Sequence, residues 1–327
     1  MPHHILRQAS IIAHMSIYIA VDLGGTHIRA ASYRHSETIP LKHQKIKTRS
    51  KDETIFERIL HLIEDVIPEG ETLDAIGVAA PGPLNPLTGI VIETPNIQEW
   101  KNFPLVEKLT KAFGVPAYLG NDANLAALGE WRYGAAQGHD HVLYLTISTG
   151  IGGGVISDGQ LLEGRDGLAA ELGHTTILAD GPICGCGHKG HLEAFSSGTG
   201  IAKYLEEKLK DDTVESSLRS SKKRGAEAIA EAAREGDPLA ISAYQRAGKY
   251  LGIGVANFLH AFNPSILIFG GGVSQSGDLI FKSFHDSLKE HIFNPAYLED
   301  LIITTVALGD DAGLLGALAL VETKEKK

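Results

Sequence analysis

The apolar positions of this chain fall into two regimes: short uninterrupted runs that end on glycine, and longer stretches with helical spacing. Ile17–Val21 is a run of the first kind, closed by Asp22 and two glycines, and it predicts a buried strand. Ile28–Tyr33 predicts the next strand, and Pro40–Thr48, alternating weakly, a third. Glu53–Val66 places Ile55, Ile59, Leu60, Leu62, Ile63 and Val66 on one side of a helix. Strands follow at Leu73–Ala79 and Val115–Leu119, with helices at Leu105–Phe113 and Ala123–Tyr133. The pattern then restarts. His141–Ile147 is a strand, Ser148–Gly154 a glycine turn and Val155–Leu162 a strand folded at Asp158-Gly159. Helical spacing marks Phe195–Lys210, Ala226–Ala233, Leu239–Phe262, Leu279–His291 and Ala312–Val321, with strands at Ser265–Phe269 and Ile302–Leu308. Asp211–Arg224 is polar throughout and predicts a surface loop. Each half thus begins strand, glycine turn, strand, which predicts two similar α/β lobes facing a cleft. The expected division is an N-terminal extension at 1–15, a small lobe at 16–121 and a large lobe at 122–310. A terminal helix at 311–322 is expected to pack back on the small lobe.

Composition narrows the classes. The chain has 327 residues, enough for two domains and a large core. Forty acidic against thirty basic residues give a net charge of −10, which disfavours binding to nucleic acid through its phosphates. Two cysteines exclude a disulfide scaffold and point to a reducing, cytoplasmic setting. No apolar run approaches the roughly 20 residues that span a bilayer. Residues 1–15 do not form a convincing secretory signal, and Met15, just before the first strand, is the expected start of the functional chain.

The candidate chemistry lies where glycines cluster at strand ends. Asp22-Leu23-Gly24-Gly25-Thr26, Ser148–Gly154 and Gly270-Gly271-Gly272-Val273-Ser274 each let the backbone approach a ligand closely. Their N–H groups and hydroxyls suit phosphate oxygens, and each is equally readable as a tight turn. None fits a standard nucleotide signature: Val155 stands where Gly150-x-Gly152 needs its third glycine for a dinucleotide fingerprint, and no P-loop occurs. Asp22, at the end of a strand beside such a loop, suits Mg²⁺ held through waters, or else simply stabilises the turn. Glu171-Leu-Gly-His174 precedes Cys184-Gly-Cys186, His191 and Glu193. His174, Cys184, Cys186 and His191 would make a tetrahedral structural zinc site, with His188 a rival to His191.

Taken in order, these pieces resemble the ROK family of sugar kinases and related repressors, and within it the bacterial glucokinases. Further motifs carrying the resemblance are Pro81-Gly82-Pro83, Thr94-Pro-Asn96 and Gly120-Asn121-Asp122-Ala-Asn124, and the set spans residues about 18–320. The resemblance implies an actin-like ATPase (ribonuclease H-like) fold, with ATP and a hexose meeting between the lobes. It implies Asp122 as general base and Asn96, Asn121, Glu171, His174 and Glu193 as hydroxyl ligands, with backbone help near Gly82. Asp122 also reads as a cap for the helix that follows it. For ATP it implies Gly24, Gly25 and Thr26 as one phosphate loop, Thr149 and Gly150 as the second, and Gly271 and Gly272 at the adenosine. Two departures stand out. His27 stands where the family often has Lys, and His191 where the zinc knuckle usually has a third Cys. Glucose is the expected acceptor, with fructose, mannose, N-acetylmannosamine or N-acetylglucosamine as alternatives. The family's repressors carry a DNA-binding unit ahead of the first loop, and the roughly 16 residues here are too few for one. A homodimer supported by the apolar face near Leu251–Phe262 is also expected.

Overall fold

The structure is a computed structural model that describes residues 16–94, 97 and 99–326. The expected extension at 1–15, and with it the choice of Met15 as start, lies outside the described residues, as does Asn96.

The first half forms β1 (Ser16–Leu23), β2 (His27–Arg34), β3 (Lys42–Lys47), α1 (Ile55–Val66) and β4 (Thr72–Ala80). It continues through β5 (Leu84–Asn85), β6 (Ile90–Glu93), β7 (Lys101–Phe103), α2 (Leu105–Phe113), β8 (Ala117–Asn121) and α3 (Asp122–Tyr133). The second half forms β9 (Val142–Ile147), β10 (Ile151–Ser157), β11 (Gln160–Leu161), α4 (Glu193–Ser196), α5 (Gly198–Lys208) and α6 (Ala226–Arg234). It closes with α7 (Pro238–Phe262), β12 (Ile266–Gly270), α8 (Asp278–His291), β13 (Ile302–Thr305) and α9 (Ala312–Glu325).

Two five-stranded sheets share one plan. The first has the order β3-β2-β1-β4-β8 and the second β11-β10-β9-β12-β13. In both, the first three strands run antiparallel and the last two join parallel to the central one. β1 is apolar on both faces because both are covered, as the near-continuous run required. Ile17, Ile19 and Val21 face α1, whereas Tyr18 and Ala20 face α9. Small residues on that second face let α9 in: a Cβ on Gly77 would lie 2.3 Å from Ala317 O. The second sheet is buried between α3 on one face and the α5–α8 layer on the other.

The helix between the sheets is α3. Every residue from Ala123 to Glu130 is buried, so this helix is covered on every side rather than along one apolar stripe. Gly152 and Gly154 lie inside β10, not in a turn, and a Cβ on Gly154 would sit 2.5 Å from that of Ala127. The expected turn at Ser148–Gly154 therefore shrinks to residues 148–150. These later glycines serve the close approach of α3, which the sequence pattern alone could not distinguish from ligand approach. At the far end of α3 the buried Glu130 carboxylate accepts from Ala135 N, Ala307 N and Leu308 N at 2.8–3.1 Å. It thereby ties α3 to the connection between β13 and α9.

Other differences have local causes. The predicted helix at 195–210 breaks at Ser197, whose hydroxyl caps α5. The Asp211–Arg224 loop is tied down: Arg219 donates to the carbonyls of Leu209, Asp211 and Val214. Asp237 accepts from Ser216 and Ser217. The small sheet β5-β6-β7 was missed because its strands are very short. The apolar face at Leu251–Phe262 is buried within the chain, packed with Phe284 and Leu288 of α8 in one core, and is not a free surface for a second copy. Among the described residues, no helix is long and apolar enough to cross a membrane.

Candidate active site

Asp122 is the first residue of α3, immediately after β8 ends at Asn121. The capping role read for Asp122 belongs to Asn121, whose Oδ1 accepts from Ala123 N at 3.0 Å and Asn124 N at 3.1 Å. Asp122 Oδ1 also accepts from Ala123 N, at 2.8 Å. Asp122 is exposed at the surface, while the protein crowding its carboxyl deprives it of bulk solvation. This desolvation pushes it up to about 6, with the negative charges of Asp22 and Glu171 adding to the effect and the Ala123 N–H opposing it. A carboxylate so placed is a stronger base than an ordinary aspartate and is ionised at neutral pH.

Several expected ligands gather around it. A Cβ at Gly82 would lie 3.2 Å from Asn121 Nδ2 and 3.8 Å from Glu171 Oε1, which brings these three together. Glu171 and His174 bracket one tight turn (Leu172–His174) that lies on the start of β10, where a Cβ on Gly173 would meet Ile151 O at 2.1 Å. Glu193 opens α4, and its Oε2 accepts from Ile151 N at 3.0 Å. The Asn121 amide and the Glu171 carboxylate thus lie near Asp122, offering both donors and acceptors to a polar ligand, while His174 and Glu193 lie with the start of β10 and the cysteine pair.

His174, Cys184, Cys186 and His191 place one ligand atom each within 4.8 Å of one another. Cys184 Sγ lies 3.7 Å from His174 Nδ1, and Cys186 Sγ 3.2 Å from His191 Nδ1. A tetrahedral ion with bonds of about 2.0–2.3 Å sets its ligands roughly 3.3–3.8 Å apart, so the donor set fits zinc. Without a cation, burial and then hydrogen bonding to Glu193 push the Cys184 thiol up to about 12. A cation is the natural partner for that buried thiol. His188 Nδ1, at 3.8 Å from Cys186 Sγ, is the more distant of the two rival histidines.

Beyond the second glycine turn a cavity of about 890 Å³ opens between α5, α6 and the loop after β12. Thr149 and Gly272 line it, with Thr199, Lys203, Ala230 and Tyr244 among the other walls. Gly271 is not on its wall. That residue takes φ +84° so the chain can fold onto the end of β9, where a Cβ would meet Ile147 O at 2.3 Å. Gly150 packs against Glu193, leaving 2.5 Å between a would-be Cβ and Oε2. Gly24, Gly25 and Thr26 form the exposed β1–β2 turn on the other lobe. Asp22, just before it, pairs with Arg29 across the hairpin. Its Oδ1 carries no hydrogen bond among the described residues and stays available to hydrated Mg²⁺. Arg29 was missed by sequence reasoning; its position opposite Asp22 in the hairpin register was the available signal.

The ROK family model matches residues 18–324. The chain belongs to the ROK family. It is 37% identical over 310 residues to a glucokinase of Thermotoga maritima, covering 94% of this chain and 97% of that one. A solved ROK glucokinase of Streptomyces griseus, in complex with glucose and AMPPNP, superimposes with a TM-score of 0.77 at 35% identity over 93% of this chain and 99% of that one. The xylose repressor of Bacillus subtilis is 31% identical, covering 93% of this chain and 73% of the repressor. The fold of this ROK protein is accordingly the actin-like ATPase fold, and the repeated strand order of its two sheets is the internal mark of it.

Proposed function

We propose that this ROK protein is an ATP-dependent hexose kinase that converts D-glucose to glucose 6-phosphate, with Asp122 as general base. The observation that carries the reading is the Asp122 carboxyl: relieved of the main capping duty by Asn121, exposed, and pushed up to about 6. A sugar hydroxyl attacks phosphorus only when its proton has an acceptor, and phosphoryl transfer otherwise demands positioning and charge stabilisation. Asp122 takes that proton as the oxygen–phosphorus bond forms and ADP departs. Asn121 Nδ2, Glu171, His174, Glu193 and the backbone at Gly82 hold the hexose, and Asn96 is assigned the same task from the sequence. Gly25 and Thr26, in a turn shaped by Gly24, grip the phosphates from one lobe and Thr149 and Gly150 from the other, while the adenosine occupies the large cavity beside Gly272. Mg²⁺, bound with the nucleotide near Asp22, would neutralise charge on the phosphates. Zinc held by His174, Cys184, Cys186 and His191 would fix the segment carrying Glu171, His174 and Glu193. The lobes, at 16–121 with 311–322 and at 122–310, would close around the sugar and exclude water.

Relatedness to xylose repressors favours a second reading, a sugar-responsive regulator without turnover. ADP release from Mg-ATP across glucose, fructose, mannose and the two N-acetyl hexosamines separates the two. Turnover with one hexose supports the kinase; binding of hexose without ADP release supports the regulator.

A further inference from the structure

The first glycine turn is short, exposed at Gly25 and Thr26, and flanked by two strands that end on it. A turn of this kind has carbonyls as well as N–H groups, and a carbonyl aimed at a phosphate repels it. What keeps the carbonyls away is a residue outside the motif. Thr48, just past the end of β3, is completely buried. Its hydroxyl donates to Gly24 O at 2.6 Å, and its backbone N–H donates to Thr26 O at 2.9 Å. Both carbonyls are thereby fixed on the β3 side. Gly24 N is engaged by His27 O at 2.9 Å, which completes the turn.

The other glycine turns use the same device with different donors. Ser148 O and Thr149 O of the second turn accept from Gly198 N and Thr199 N at the start of α5. Gly271 O of the third accepts from the Ser274 hydroxyl at 2.6 Å. Three turns of different sequence therefore have carbonyls held by inward-facing donors. A buried threonine hydroxyl is an inefficient way to stabilise a strand end, since desolvation nearly cancels the bond. It is an efficient way to dictate which side of a turn is acceptor-free.

We propose that Thr48 is a positioning residue for nucleotide binding: its hydroxyl holds the Gly24 carbonyl away from the phosphates so that the β1–β2 turn presents donors to them. The inference rests on the kinase reading for the identity of the ligand but not for its test. Thr48→Val keeps the shape and removes the hydroxyl, while Thr48→Ser restores it. Binding of Mg-ATP and of glucose is measured separately by calorimetry on wild type and both variants, with KM and kcat recorded for whichever hexose is turned over. Thr48→Val is expected to weaken Mg-ATP about 5- to 20-fold, the scale of one hydrogen bond to a loop facing charge. Glucose binding should stay within about 2-fold, and Thr48→Ser should recover most of the loss. Unchanged Mg-ATP affinity in Thr48→Val overturns the proposal, as does parallel loss of glucose and nucleotide binding, or failure of Thr48→Ser to rescue. Should wild type bind Mg-ATP without phosphorylating any hexose, the kinase reading falls while selective loss in Thr48→Val still upholds the role of Thr48.

Discussion

At the scale of single residues, the account turns on how two neighbours divide their work. Asn121 spends its carbonyl oxygen on the helix start, so the next carboxylate is left for chemistry. Removing that charge by Asp122→Asn is expected to cut kcat by a factor of about 10²–10⁴ with hexose binding retained. The same carboxyl sets a pH dependence. Catalysis requires the ionised form, so kcat/KM should fall about tenfold per unit below pH 6. Stability runs the other way. A folded-state pKa raised from 3.8 to about 6 favours folding fully below 3.8, and that contribution is lost as pH rises through 6. Asp122→Asn should therefore melt higher than wild type at pH 8 and show no gain near pH 3, which thermal scans at both pH values check. The carboxylate itself was legible in Asn121-Asp122 once the motif order was read. Its elevated basicity was not, because it comes first from desolvation by the surrounding fold and then from Asp22 and Glu171, which lie far away along the chain.

At the scale of elements, glycine is where sequence reasoning reached its limit. Gly150 to Gly154 read as one phosphate turn, yet Gly152 and Gly154 are strand residues that admit α3. Gly154→Ala places a methyl against Ala127 and is expected to lower the melting temperature by about 2–6 °C. The meeting of the four candidate metal ligands, in contrast, was readable from side-chain type and spacing. His174 belongs both to that cluster and to the turn beside Glu171, so on the proposed function a metal and a hexose would be coupled through a few bonds. Protein purified without added metal should carry about one zinc, and stripping it should weaken glucose binding about 10- to 100-fold by calorimetry. Unaltered glucose affinity in zinc-free protein would dissociate the knuckle from the sugar site.

For the whole molecule, the alternation of apolar runs and glycine turns announced a duplicated plan, and both sheets carry it with identical strand order. Beyond the expectation that the terminal helix packs back on the small lobe, the sequence pattern did not announce how the halves join. That junction is made by α3 and α9, whose periodicity is blurred because they are buried on nearly every side. Glu130 is its polar anchor, and nothing in the local sequence marks a lone glutamate as the acceptor for three backbone N–H groups. Glu130→Ala strands those donors in the interior and should cost at least about 3 kcal/mol in denaturant unfolding. Glu130→Gln, which keeps one acceptor oxygen, should fall between it and wild type.

The most direct measurement is ADP release from Mg-ATP and glucose at neutral pH, comparing wild type with Asp122→Asn after calorimetry shows that both bind the sugar. The account predicts turnover by wild type, glucose 6-phosphate as product, and near-complete loss in the variant. Wild-type rates retained by Asp122→Asn would contradict it, as would sugar binding by wild type with no ADP released for any hexose.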